Sequence, residues 1–245
     1  MTGTWLILGG SSSMARAFAR AVAERGDAVV LAGRDMADLK INANDCLIRG
    51  ADDAAALPFD ARDAATFGPV LDHMAARPGM LNVAVFVGSM PPQKEIDADP
   101  DLAEGVVRDS FLGPVKFLHR FAGLIEERGG GTVIGVGSVA GDRGRIGNYV
   151  YGAAKAAFHT YLAGLRNRLT RSGGHVVTVK PGFVDTAMTW GLPGLFLVAS
   201  PQDVARDLLR AADRKRDVIY TPWFWRYIMM IIRSVPERIF KKLSV

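Results

Sequence analysis

Apolar residues fall in short unbroken runs, and stretches with helical spacing lie between them. Residues 6–8, 28–32, 83–87, 132–136 and 176–179 each read as a short buried strand, too brief for a helix. Residues 14–25 read as a helix, with Ala15, Phe18, Ala19 and Val22 on one stripe. Further helical stretches lie near 101–127 and 149–171. Continuous apolar strands alternating with helices predict a parallel sheet covered on both faces. Right-handed crossovers then make it a doubly wound α/β fold. No repeat or low-complexity linker divides the chain, so residues 1–245 are expected to form a single domain. Two segments stand apart from the alternation. Residues 187–200 are apolar and punctuated by Gly and Pro, and read as a mobile flap. Residues 223–245 form an apolar tail that ends in basic groups.

Composition narrows the function classes. Of 245 residues, 49% are hydrophobic and 22% charged, which supports a sizeable core and argues against wholesale disorder. The net charge of +5 is a mild excess that favours anionic partners only weakly. No basic run with interleaved aromatics precedes residue 205, so nucleic acid is not an expected partner. Cys46 is the single cysteine, which rules out an internal disulfide and fits a reducing compartment. His73, His119, His159 and His175 are scattered, so no metal site is expected. The chain opens on a strand-like run without the basic region and cleavage site of a signal peptide. No apolar run reaches the ~20 residues of a membrane-spanning helix. A cytoplasmic protein is expected, with peripheral contact at the inner face of the membrane left open by the tail.

The turn after the first strand reads Gly9-Gly10-Ser11-Ser12-Ser13-Met14-Ala15. Small residues between strand and helix let backbone N–H groups approach a phosphate, and the helix N-terminus adds partial positive charge. Ser11 and Ser12 also offer hydroxyls; a plain helix-capping cluster is the alternative. After the second strand the chain reads Gly33-Arg34-Asp35. A carboxylate at this point binds a ribose diol, whereas an arginine accepts a 2′-phosphate. Gly33 occupies the expected acid position, so Arg34 favours NADP (NADPH) over NAD. Asp35 as a ribose ligand is the competing reading, and an Arg–Asp pair capping a surface turn is the third.

Tyr151 and Lys155 are four residues apart at the start of a predicted helix, which places them on one face. A phenol has a free pKa of about 10, and a nearby ammonium lowers it by favouring the phenolate. Such a phenol can protonate a carbonyl oxygen as hydride reaches the carbon. Ser138 follows the 132–136 strand, at the edge where parallel sheets place functional groups, and its hydroxyl can polarise the same carbonyl. Tyr149 lacks such a partner, because Ala153 stands four residues on.

Together these residues resemble the short-chain dehydrogenase/reductase family over nearly the whole chain. The supporting pieces are Gly9 to Ala15, Asp60-Ala61, Gly88, Gly137 to Gly141 around Ser138, Tyr151 with Lys155, and Pro181-Gly182-Phe183-Val184-Asp185-Thr186. The resemblance implies a Rossmann-like fold, a dimer or tetramer, and catalysis by Ser138, Tyr151 and Lys155. It implies Asp60 and Ala61 by the adenine, Gly88 along the cofactor, and Lys155 on the nicotinamide ribose. It also implies that Pro181, Gly182, Val184 and Thr186 lie beside the nicotinamide. Three departures stand out. Ser13 and Ala15 replace the second and third family glycines, Val85-Phe86-Val87-Gly88 replaces Asn-Asn-Ala-Gly, and Ser110 stands where the family has its relay asparagine.

A narrower resemblance, to decaprenylphosphoryl-2-keto-ribose 2-reductases, rests on residues 141–145, residues 148–152 and the tail from Tyr227 to Leu243. It implies reduction of a keto sugar on a polyprenyl phosphate. Arg143 and Arg145 then read either as ligands of a substrate phosphate or as surface arginines. The flap either covers a prenyl chain or packs on protein, and the tail either lies on lipid or buries at a subunit interface. A reductase or dehydrogenase of another lipophilic ketone or alcohol, and a non-catalytic NADP-sensing binding protein, are the alternatives.

Overall fold

The computed structural model describes residues 3–191 and 196–243; part of the expected flap, residues 192–195, lies outside them. The strands are β1 (Thr4–Leu8), β2 (Ala28–Gly33), β3 (Ala54–Pro58), β4 (Leu81–Val85), β5 (Gly131–Val136), β6 (Gly174–Pro181) and β7 (Val218–Thr221). They form one parallel sheet in the order β3-β2-β1-β4-β5-β6-β7. The helices are α1 (Ser13–Ala23), α2 (Met36–Ile48), α3 (Phe67–Ala75), α4 (Gln93–Ala98), α5 (Leu102–Val107), α6 (Gly113–Glu127), α7 (Tyr149–Leu169), α8 (Pro201–Asp213), α9 (Trp225–Ser234) and α10 (Glu237–Phe240).

The order follows from the sequence pattern. All five residues of β1 are buried, which requires cover on both faces. Leu6 sits opposite Val30 and Val83 on the neighbouring strands. Alternate side chains feed two separate cores. Ile7, Val29 and Leu31 pack with Phe18 and Leu208 on the α1, α2 and α8 face. Leu6, Leu8 and Val83 pack with Phe67, Phe117 and Phe158 on the α3, α6 and α7 face. The doubly wound, Rossmann-like α/β fold expected from the sequence is the observed one.

Some boundaries move. The strand expected over 83–87 is Leu81–Val85, because Phe86 and Val87 already belong to the crossing loop that meets Gly9. The helical stretch near 101–127 is broken by a wide π turn, Arg108–Leu112, which carries Ser110. The long helix ends at Leu169, and one tight turn follows. The tail forms two helices, separated where Pro236 caps the second.

Candidate active site

Parallel strands all deliver their carboxyl ends to one edge, and the expected site residues gather there. At the end of β1, Gly9 takes φ +78°, and a Cβ on it would lie 3.2 Å from the backbone of Phe86 and Val87. A side chain would fill the cradle and strain the turn, so glycine is required. Ser12 caps α1, its Oγ accepting from Ala15 N–H at 3.2 Å. Ser13 begins the helix with Met14 behind it, so the N-terminal donors of the first turn face the loop. Ser13 therefore needs no left-handed backbone, and its replacement of a family glycine is tolerated. Ser11 is exposed on the same turn.

Arg34 is exposed beyond β2 and makes no ion pair among the described residues. Asp35 is engaged as the cap of α2, accepting from Asp38 N–H at 3.1 Å. The two side chains therefore do not form the surface pair that was one reading. Asp60 accepts from Arg62 N–H at 2.9 Å, and the Ala61 carbonyl lies against Gly113. Arg62 adds a bidentate pair to Asp109, both contacts 2.7 Å, tying the loop after β3 to the π turn.

Ser138 follows β5 in extended backbone, its Oγ accepting from Ala140 N–H at 3.1 Å, and its hydroxyl lies near enough to the Tyr151 phenol to favour the phenolate. Both Tyr151 and Lys155 are buried on the inward face of α7. Lys155 Nζ donates to the Val136 carbonyl at 3.0 Å and the Val87 carbonyl at 3.4 Å. It sits 5.7 Å from the centre of the Tyr151 ring. A Cβ on Gly88 would come within 3.1 Å of that ammonium and 3.4 Å of Ser110 Oγ, so Gly88 keeps the approach to Lys155 open. Ser110 is fully buried, and its Oγ accepts from Ser89 N–H at 3.3 Å.

The electrostatics differ from the sequence expectation. Burial pushes the Tyr151 phenol up to about 12, opposed by the nearby Ser138 hydroxyl. Burial pushes Lys155 down to about 8. The lysine is directed at backbone carbonyls rather than at the phenolic oxygen, so desolvation prevails over its attraction for the phenolate. The phenol is held protonated, which is the form that donates to a carbonyl.

Pro181 ends β6, and Gly182 N–H donates to the Thr221 carbonyl at 3.0 Å. Val184 is buried and bridges Ala199. Thr186 N–H donates to Thr189 Oγ1 at 3.2 Å. Ser13 and Thr186 line one cleft of about 450 Å³, which joins the glycine turn to the segment after β6. A second cleft, about 810 Å³, runs past Ser89, Met90 and Met188. The cradle at Gly9, the open helix terminus and the joining cleft fit a dinucleotide.

Several supports were not found from sequence. His159 continues the spacing of Tyr151 and Lys155 by four more residues, a signal available in the chain. Its Nε2 accepts from Ser138 N–H at 3.3 Å, and burial pushes it down to about 3, a neutral acceptor. The Asp142 carboxylate takes Lys180 Nζ and the Tyr220 hydroxyl, both at 2.6 Å. Trp225 is 1% exposed and its indole lies against Gly182, where a Cβ would be 1.9 Å from Nε1.

The two candidate phosphate arginines part company. Arg143 is not free for substrate. It donates to the carbonyls of Ile232 and Val235 at 2.5 and 2.7 Å, pairs with Glu237 at 2.9 Å and lies over the Phe240 ring at 3.6 Å. It clamps the tail to the loop between Ser138 and Tyr151. Arg145 is largely withdrawn from solvent and its Nε has no hydrogen-bond partner among the described residues. Tyr149 is exposed and donates to Asp97.

Comparison with known proteins agrees with this geometry. The short chain dehydrogenase family model matches residues 4–193. An uncharacterized oxidoreductase of Mycobacterium tuberculosis is 31% identical over 239 residues, covering 97% of this chain and 96% of that protein. One from Streptomyces coelicolor is 29% identical over 243 residues, covering 98% and 95%. The solved short-chain dehydrogenase of Sphingobium yanoikuyae in complex with NADPH superposes with a TM-score of 0.81 at 22% identity, covering 96% of this chain and 97% of that one.

Proposed function

This chain belongs to the short-chain dehydrogenase family of oxidoreductases, with a Rossmann-like NAD(P)-binding fold, and on that premise we propose that it is an NADPH-dependent carbonyl reductase. The observation that carries the reading is the buried Tyr151 phenol, with Lys155 beside it on the inward face of α7 and the Ser138 hydroxyl nearby, at the carboxyl edge of the sheet. When bound, the dinucleotide supplies the hydride. Ser138 orients the carbonyl oxygen by hydrogen bonding, and Tyr151 delivers its proton to that oxygen. Lys155, one residue's width from Gly88, binds the ribose beside the reacting carbon. Gly9, Ser13 and Met14 hold the pyrophosphate, and the segment from Pro181 to Thr186 borders the nicotinamide. His159 fixes the backbone of Ser138.

Arg34 supports NADPH as the cofactor, since it is exposed while Asp35 is taken up in capping. Arg34→Ala is expected to raise the KM for NADPH about tenfold or more, as loss of a charge-assisted contact of about 1.5–3 kcal/mol implies. The KM for NADH should stay nearly constant. Equal effects on both cofactors would remove Arg34 from the 2′-phosphate.

For the substrate, we propose a keto sugar on a polyprenyl phosphate. Two features support it. Arg145, close in sequence to Ser138, carries a buried unpaired Nε that suits a phosphate. The flap exposes Met188, Trp190, Phe196 and Leu197 to an apolar chain. NADPH consumption is expected with the lipid-linked keto sugar. Arg145→Ala should raise the KM for it and leave turnover of a simple lipophilic ketone unchanged. The absence of turnover with the phosphate substrate, alongside robust turnover of a lipophilic ketone, would transfer the assignment to the simpler class.

A further inference from the structure

A cavity of about 950 Å³ lies away from Tyr151, between the end of α8, the edge strand β7 and α9. Its walls carry Arg210, Arg214 and Arg216 on one side and Arg226 and Arg233 on the other. Lys180 at its floor is held by Asp142 at 2.6 Å, and Arg210 leans on Asp207 at 3.4 Å. The remaining four arginines make no ion pair among the described residues. The C-terminal dipole of α8 accounts for Arg210 and Arg214 near its end. It does not account for Arg226, which sits in the first turn of α9, where a cation is unfavourable. Cations converging from separate elements repel one another unless an anion lies between them.

An apolar row borders these cations. Trp223, Tyr227, Met230 and Ile231 follow one another along one side of α9 and are 70%, 54%, 58% and 65% exposed. The Trp223 and Tyr227 rings meet edge to face at 6.0 Å. The opposite side of the helix, Trp225 and Met229, is buried against the body with Val139. Aromatic and aliphatic groups in one row with arginines beside them are the makeup of a helix lying in a lipid headgroup layer. A second copy of this chain related by a two-fold would set arginines against arginines on this face, so charge complementarity favours an anionic partner over self-association.

We propose that this cleft is a docking site for the phosphate headgroups of an anionic phospholipid surface, with Trp223, Tyr227, Met230 and Ile231 entering the apolar layer. The site is independent of which carbonyl is reduced. It shares α9 with the wall of the catalytic centre, so docking places the crevice beside the membrane.

The test is co-sedimentation with vesicles of phosphatidylcholine alone and of phosphatidylcholine mixed with phosphatidylglycerol. The protein should sediment only with the mixed vesicles, and binding should weaken with salt. Arg226→Glu with Arg233→Glu should weaken it by about 30-fold or more, since each cation near an anionic surface contributes about fivefold. Lys116→Glu with Arg120→Glu, on exposed α6 positions, makes the same change in net charge and should weaken it far less. Equal loss in both double variants, equal binding to neutral vesicles, or no binding would overturn the proposal. So would a cleft that binds inorganic phosphate without binding vesicles, or a change of native mass in the first variant with vesicle binding intact. NADPH consumption by the first variant with a water-soluble ketone should match the unmodified protein, which separates failure here from failure of the reductase assignment.

Discussion

Tyr151→Phe is expected to lower kcat for carbonyl reduction by about 10²–10⁴-fold, the range supplied by a positioned general acid. The ring stays and only the hydroxyl goes, so packing against Ala140 and Ile96 survives. NADPH affinity, measured by fluorescence titration, should hold within about twofold, because Lys155 is anchored by backbone carbonyls rather than by the phenol. The pH profile gives a second check. Tyr151, pushed up to about 12, remains a proton donor throughout the neutral range. Lys155, pushed down to about 8, loses its positive charge as pH rises through that value. The kcat/KM for reduction should therefore be flat near neutrality and fall above about pH 8 as ribose binding weakens. Oxidation of the alcohol needs the ionised phenol and should instead climb into the alkaline range. Full activity in Tyr151→Phe would end the proposed chemistry.

Trp225→Ala is expected to destabilise the protein by about 3–5 kcal/mol, the usual range for truncating a buried aromatic. The ring packs with Phe183 at 5.4 Å and Phe196 at 5.6 Å and fills the space over Gly182. At ~2–4 °C per kcal/mol for a chain of this size, the melting temperature should drop by roughly 6–20 °C. Trp225→Phe should cost less. It keeps most of the apolar volume and removes an indole N–H that is buried without a partner. Since Gly182 belongs to the segment proposed to border the nicotinamide, the alanine variant should also raise the KM for the cofactor. A melting temperature within about 2 °C of the unmodified protein would mean that α9 is not part of the folded body.

The strands were legible wherever both faces are covered. Residues in β1, β2, β4, β5 and β6 are buried almost throughout, and an unbroken apolar run is the trace that leaves. The edge strands were harder. The Ala-Ala-Ala-Leu-Pro run of β3 is only half buried and has no β-branched side chains, and β7 is four residues long with Val218 exposed. α2 blurs its own pattern by exposing Ile41 and Ile48. α8 did offer a signal, a Ser200 cap before Pro201 and the stripe Val204, Leu208 and Ala211.

The gathering of Ser138, Tyr151 and Lys155, the proposed catalytic trio, was readable because Tyr151 and Lys155 share a helix face and Ser138 follows a strand. Their electrostatics were not, since desolvation depends on what surrounds them in three dimensions. The role of Arg143, open between a phosphate ligand and a surface arginine, was not legible because its partners are 89 to 94 residues away. The basic cleft was invisible for the same reason, its arginines being scattered over residues 210–233 and joined only by the fold.

β1 precedes all the other strands in sequence, yet it lies inside the finished sheet, third of seven, between β2 and β4. When residues 28–58 have emerged, β1 can pair with β2 on one side only. Its other edge must wait for β4, which begins more than twenty residues after β3 ends. A nascent chain of that length exposes a bare, largely apolar strand edge, a template for pairing with another chain. Synthesis at a pace of about 5–20 residues per second leaves that edge open for seconds. A holding chaperone or slow, cold expression should therefore govern the yield of this protein more strongly than the stability of its completed form.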